Sequence, residues 1–293
     1  MSALPQPSET ETRRTAMLRT AFDGPVGAAL AAPDAIEILA NPDGSVWVEK
    51  AGFGLRRASE TLGRAERERI IRLVASSVGE ACDRASPIVS AELPGSGERF
   101  EGILPPVSEA PCFALRKPAG QPIALDTYVE TGALTPTLCV GLRQALEDRL
   151  NIVVAGGTSS GKTTFANALL SEPVLSEDRI IILEDTRELR CSAEDVTQLR
   201  THRSGITLRD LVRSTMRLRP DRIIVGEVRG GEALDLLKAW NTGHPGGITT
   251  LHANSASSAL TRLEQLVEEA TTALPHALIG EAVDVIVFMS RAS

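Results

Sequence analysis

Short alternating apolar runs broken by turn residues fill the first part of the chain, and solid apolar runs separated by stretches of helical period fill the rest. Ile36-Glu37-Ile38-Leu39, the turn signal Asn41-Pro42-Asp43-Gly44 and the alternating Val46-Trp47-Val48 predict a hairpin. From Ala65 to Cys82, Ile70, Ile71, Val74 and Val78 recur at helical spacing with arginine and glutamate opposite, so one amphipathic helix is expected to cover the sheet. A second hairpin is signalled by Ile88 to Leu93, the turn Pro94-Gly95-Ser96-Gly97 and the return through Phe100 and Ile103-Leu104; a further strand is expected at Cys112 to Arg116. These elements describe a small α+β unit over residues 14–117, preceded by a polar start, 1–13, whose composition predicts disorder.

Residues 118–135 carry Gly, Pro and isolated apolars without a sustained period, which suits an interdomain linker. Over 136–293, apolar strands at 151–155, 179–184, 223–227, 247–252 and 284–289 alternate with helical patterns. That alternation predicts an α/β domain built on a mostly parallel, doubly wound sheet.

Between the first of these strands and its helix lies Gly156-Gly157-Thr158-Ser159-Ser160-Gly161-Lys162-Thr163, which fits G-x-x-x-x-G-K-[ST] in the strand-then-helix setting that a phosphate-binding loop requires. Glycines let successive backbone N–H groups turn inward onto phosphate oxygens, and the helix beginning near Thr164 adds the partial positive charge of its N-terminus. Lys162 is expected to reach the β- and γ-phosphates, and the Thr163 hydroxyl to be a ligand of Mg²⁺. The chain is therefore expected to bind a nucleoside triphosphate.

Composition narrows the setting. With 293 residues, 42% hydrophobic and 24% charged, the chain has room for two globular domains. A net charge of -7 and 3% aromatic residues argue against tight nonspecific binding of nucleic acid. No apolar segment approaches the ~20 residues that span a bilayer, so any link to a membrane is expected to run through a partner. Cys82, Cys112, Cys139 and Cys191 are scattered without a C-x-x-C pair, which suggests neither zinc nor disulfides and fits a reducing cytoplasm.

Two downstream strands run into glutamates: Ile180-Ile181-Ile182-Leu183-Glu184 and Ile223-Ile224-Val225-Gly226-Glu227. Ligands of open α/β sheets lie beyond the carboxyl ends of strands, so both carboxylates are expected to face the nucleotide. Phosphoryl transfer to water needs one carboxylate in the metal shell and another for the attacking water; Glu227 is expected in the first role, through water, and Glu184 in the second. His244 and His252, two of the four histidines, flank a Gly-rich turn and a short strand, where imidazoles near a γ-phosphate could donate hydrogen bonds. Arg209, Arg213 and Arg217 form an i, i+4, i+8 stripe without an interleaved acid; with Arg219 and Arg229 it reads equally well as a solvated face or as a contact to phosphate or an acidic neighbouring subunit.

The phosphate loop, the acidic Leu183-Glu184-Asp185-Thr186-Arg187-Glu188-Leu189, the segment from Arg219 to Gly230 and the histidine segment stand in the order of the Walker A, Asp-box, Walker B and His-box motifs. In this the chain resembles the secretion (traffic) ATPase superfamily. Glu92-Leu93-Pro94, Arg99-Phe100-Glu101-Gly102, Leu104-Pro105-Pro106, Arg116-Lys117-Pro118 and Leu236-Leu237-Lys238-Ala239-Trp240 resemble its conjugal-transfer branch in type IV secretion. The resemblance implies a PAS-like N-terminal domain before a RecA-like ATPase domain, a homo-hexameric ring, ATP with Mg²⁺, and a cytoplasmic location at inner-membrane components of the secretion complex. It also implies that Glu184 is the catalytic acid of the Asp box, that Glu227, His244 and His252 are motif residues, and that Arg116 contacts nucleotide. The paired C-x-x-C elements of type II secretion ATPases and the retraction motif of twitching-pilus motors are missing, which favours the conjugation branch. On sequence alone, a RecA-like DNA motor and a nucleotide-sensing scaffold remain as alternatives.

Overall fold

In the computed structural model the strands pair into two separate six-stranded sheets, in the orders β3-β2-β1-β6-β5-β4 and β12-β7-β11-β10-β8-β9. The structure describes residues 17–290 apart from 19, 119–121, 159, 203 and 273–275, so the polar start and Ser159 lie outside the described residues. The sheets belong to two units, Met1–Ala119 and Gly120–Ser293.

The first unit is antiparallel throughout its paired strands. β1 (Ala35–Ala40) and β2 (Ser45–Lys50) form the expected hairpin, with Ala40 opposite Val46. β4 (Ile88–Glu92) and β5 (Arg99–Ile103) form the second, and β6 (Cys112–Arg116) joins β5 to β1. Helix Arg64–Ser77 buries Ile70, Ile71 and Val74 against this sheet's core. It ends earlier than its apolar spacing predicted: Val78 is partly exposed and Gly79, at φ +76°, turns the chain out of the helix. β3 (Gly54–Thr61) was not legible, because it pairs on one side only and is exposed almost throughout, so no burial imposes an alternation on it.

In the second unit β7 (Ile152–Gly156), β8 (Arg179–Glu184), β9 (Asp195–Arg200), β10 (Arg222–Val225), β11 (Ile248–His252) and β12 (Val285–Met289) are all parallel to their neighbours. The solid apolar runs have a direct cause: successive residues face opposite layers, and both layers are cores. Val153, Ala155, Ile181, Leu183, Ile223 and Val225 join one core with helices Leu208–Thr215, Glu232–Asn241, Ala256–Glu268 and His276–Ala282. Ile152, Val154, Ile180, Ile182 and Ile224 join the other, with helices Pro136–Glu147 and Lys162–Leu170. β9 was missed in the sequence, since this edge strand, Asp-Val-Thr-Gln-Leu-Arg, is only half buried.

One expectation is corrected. The segment 118–135 contains helix Leu125–Glu130, whose Leu125 is fully buried in the core with Leu142 and Phe165. Tyr128 also meets Phe165 edge to face, with ring centroids 5.2 Å apart. A helix of six residues is too short to display a repeat, although two anchors suffice to dock it.

Below the amino ends of the parallel strands a buried ion cluster fastens the layers. Arg222, 1% exposed, donates to Asp178 at 2.5 Å and to the carbonyls of Leu146 and Gly246, while Arg149 pairs with the same aspartate. Removing Arg222 takes away the buried partner of this carboxylate and leaves it only the partly exposed Arg149. Arg222→Ala is expected to lower stability by about 3 kcal/mol, at the lower end for a broken buried pair because Arg149 remains; urea denaturation followed by fluorescence of the buried Trp240 measures this.

Candidate phosphate-binding site

The parallel strands end on one edge of the second sheet, and the candidate residues gather there. β7 passes through Gly156 into the loop, and Gly161, at φ +94°, turns it into helix Lys162–Leu170. A side chain at Gly156 would clash with the Met289 carbonyl, 2.5 Å from its Cβ position, so this glycine is demanded by close approach of β12. Lys162 is buried and its Nζ donates to the carbonyls of Gly156 and Gly157 at 3.0 and 2.8 Å. Thr163 and Thr164 occupy the first turn of the helix, and Gly157, Thr158 and Ser160 complete the described loop.

Glu184 closes β8 and is 3% exposed. Its Oε1 accepts the backbone N–H groups of Glu188 and Leu189, each at 2.8 Å, whereas its Oε2 is buried without a hydrogen-bond partner among the described residues. Burial pushes this carboxyl up to about 7, against the two N–H bonds that draw it down. Gly226 supplies the floor: a Cβ there would stand 3.0 Å from Glu184 Cγ. A carboxyl that changes charge near neutrality and has one unused oxygen can exchange a proton with a small ligand.

Glu227 lies two residues beyond the end of β10 and is tied on both sides. His252 Nε2, at the end of β11, stands 2.8 Å from its Oε1, within ion-pair range though not aligned as a hydrogen bond. Arg229 donates to its Oε2 at 2.8 Å. The other ring nitrogen of His252 is 3.4 Å from Lys162 Nζ, so His252 bridges the loop lysine and Glu227. Thr163 Oγ1 reaches Glu188 Oε2 at 3.4 Å. Hydroxyl and carboxylate oxygens are the donors a hard divalent cation such as Mg²⁺ selects, and Mg²⁺ takes one or two such protein ligands with phosphate and water completing its shell. Thr163 and Glu227 fit that requirement.

Lys162, Thr163, Glu184, Glu227 and His252 are thus brought to one strand edge of the second unit, and His244 is not. His244 precedes β11 and so belongs to the amino edge, with its Nδ1 buried and unpartnered among the described residues. β11, which begins after His244 and ends at His252, carries the two histidines to opposite edges. The glycines beside His244 answer to packing: a Cβ at Gly247 would meet Trp240 Nε1 at 2.0 Å and one at Gly246 would meet Arg222 at 2.5 Å. Arg116 is exposed at the end of β6, in the first unit.

The arginine stripe also changes meaning. Arg209 and Arg213 both donate to Asp235, at 2.6 and 3.0 Å, so the acid missing from their own stripe arrives from helix Glu232–Asn241. The helix stops at Thr215, leaving Arg217 and Arg219 beyond it and exposed. Arg229 separates from this group onto Glu227. Ser258, Thr261 and Arg262 were not singled out in the sequence, yet with Gly157, Thr158 and His252 they line a cavity of about 430 Å³ beside the loop. Only helical periodicity marks them, and that carries no trace of what lies opposite.

Residues 63–290 match the family described as "Type II/IV secretion system protein". The chain belongs to this family. It is 49% identical over 276 residues to the "Probable conjugal transfer protein TrbB" of Sinorhizobium fredii, covering 94% of this chain and 84% of that one. It is 34% identical over 303 residues to the "Type IV secretion system protein PtlH" of Bordetella pertussis, covering 89% and 87%. Its fold is similar to the X-ray structure of the Legionella pneumophila ATPase DotB, with a TM-score of 0.64 at 20% identity over 98% of this chain and 78% of that one. Among the described residues no helix of this family member is long and apolar enough to cross a membrane.

The elevated Glu184 makes stability depend on pH. The folded chain holds this proton up to about pH 7 whereas the unfolded one releases it near 4.5, so ionising Glu184 costs stability as pH rises through that window. Glu184→Gln removes the cost: its stability relative to the parent is expected to rise by about 3 kcal/mol between pH 4.5 and pH 8, read from urea denaturation at the two pH values.

Proposed function

We propose that this chain is a Mg²⁺-dependent ATPase that powers a type IV secretion or conjugative transfer apparatus, in pilus assembly or substrate transfer. In this reading the second unit is a RecA-like ATPase domain, the first is PAS-like, and the chain works as a homo-hexamer. It resides in the cytoplasm, held peripherally at the inner membrane by components of the secretion complex. The names of its relatives support the secretion role, and the chemistry rests on one observation: a buried carboxyl at the sheet's ligand edge, held by two backbone N–H groups on one oxygen and unpartnered on the other.

Bound Mg²⁺ would supply neutralisation of phosphate charge. Glu184 Oε2 takes a proton from the attacking water, while Oε1 stays fixed by Glu188 and Leu189, so the base cannot swing away. Lys162 exchanges its bonds to the loop carbonyls for phosphate oxygens, which as anions are stronger partners. Thr163 would hold the Mg²⁺ directly and Glu227 through water. His252, already beside both Lys162 and Glu227, is placed to register whether the γ-phosphate is present. Arg116 keeps, within this proposal, the nucleotide contact that the family resemblance implies.

Differential contact to γ-phosphate before and after hydrolysis is what could shift an equilibrium between conformations of the ring. Lys162→Ala is expected to lose nucleotide binding or turnover. Glu184→Gln is expected to bind ATP and to hydrolyse it about 10²–10⁴-fold more slowly, the share a general base supplies. Hydrolysis by Glu184→Gln at the parent rate would remove Glu184 as the base. Specific activity measured as protein concentration is raised should climb and saturate if assembly completes the enzyme; a flat profile would argue against the ring requirement.

A further inference from the structure

Asn167 is a buried polar side chain that the proposed chemistry does not use. It lies on helix Lys162–Leu170, four residues after Thr163, roughly 6 Å farther along the helix axis. It is 2% exposed. Its Nδ2 donates to the Glu188 carbonyl at 3.0 Å, and its Oδ1 accepts from the Arg190 N–H at 2.8 Å. Only one orientation of the amide satisfies both partners.

One of these bonds falls on the peptide unit that carries the Leu189 N–H, which holds the proposed base, and the other on the next unit along. The N–H groups of Glu188 and Leu189 both point at Glu184 Oε1. Two consecutive amides converging on one oxygen require a fixed turn of backbone, and the loop from Asp185 to Arg190 has no strand or helix hydrogen bonds of its own to impose it. Asn167 grips that turn from one side. Gln198, donating to the Leu189 carbonyl at 2.9 Å from the edge strand, grips it from another. We infer that Asn167 is a positioning residue for Glu184: through this turn it fixes the carboxyl relative to the phosphate-loop helix. The inference rests on Glu184 acting as the base.

The arrangement has a consequence for the working cycle. Asn167 shares a rigid helix with Lys162 and Thr163, so a displacement of the helix N-terminus by phosphate is passed to the turn that aims Glu184. Loop and base then move as one body. Asparagine suits the task because its planar amide offers one donor and one acceptor side by side, matching one carbonyl and one N–H two residues apart.

The test uses the full chain carrying Asn167→Ala, Asn167→Leu, Glu184→Gln and each Asn167 variant combined with Glu184→Gln. Leucine keeps the side-chain volume, so it carries the same readouts should the alanine protein fail to fold. In nucleotide-free protein, hydrogen exchange at the amides of Glu188 and Leu189 is expected to quicken in the Asn167 variants, with the core strand Ile152–Gly156 unchanged. In turnover, kcat is expected to fall about tenfold, a fraction of what a general base supplies, while KM and the affinity for a fluorescent ATP analogue stay within about twofold. On the Glu184→Gln background the same change should cost nothing further. Parent-like kcat in both Asn167 variants, or an equal loss on both backgrounds, would overturn the positioning role while leaving Glu184 as base. Parent-like turnover in Glu184→Gln itself would instead remove the base, and this inference with it.

Discussion

The inner strands of the parallel sheet are buried on both faces, and that constraint organises the rest of the second unit. A strand such as Ile180-Ile181-Ile182-Leu183 has no polar side, because each successive residue enters a different core. Chemistry is therefore expelled to the strand ends. Glu184, Glu227 and His252 are found where the apolar runs stop, and the phosphate loop begins where the run Ile152-Val153-Val154-Ala155 ends.

The two edges of the sheet use this freedom in opposite ways. At the amino edge, Arg222 and Arg149 both pair with Asp178, Arg222 also donates to backbone carbonyls, and the glycines at 246 and 247 make room for Arg222 and Trp240. Each nitrogen of the Arg222 guanidinium has a protein acceptor there. At the carboxyl edge, pairing is incomplete by construction. Glu184 keeps an unpartnered oxygen, and Lys162 is satisfied by carbonyls of the loop that it would give up for phosphate. A site that binds an anion and moves a proton must hold groups that are not yet fully satisfied, and the apolar surroundings raise the cost of leaving them so.

That cost accounts for the behaviour of Glu184. Burial favours its neutral form, two backbone N–H groups favour the anion, and the balance falls near neutrality. Neither influence resides in Glu184. The first comes from the layers closing over β8, and the second from a turn whose geometry depends on neighbours distant in sequence. In the first unit, by contrast, the sheet shares one core with helices Pro25–Ala31 and Arg64–Ser77, and its edge strand β3 is left open to solvent.

Read by itself, the sequence determined the two kinds of sheet, the phosphate loop, and the glutamates at or just past the ends of apolar runs, because each is written in local signals: alternation, turn residues, glycine spacing and solid apolar runs. It could not reveal β3 or β9, where exposure removes the pattern, nor the helix at Leu125–Glu130, which is too short to show one. It placed His244 and His252 together because they are close along the chain. The tertiary structure sent them to opposite edges, since an intervening strand must cross the sheet. The sequence likewise left Arg209 and Arg213 open between a solvated face and a contact role, and the fold supplies Asp235 to both from a second helix. Identity and spacing of chemical groups are local and survive in one dimension; their pairing, burial and proton affinity depend on which surfaces meet, and only the folded layers decide that.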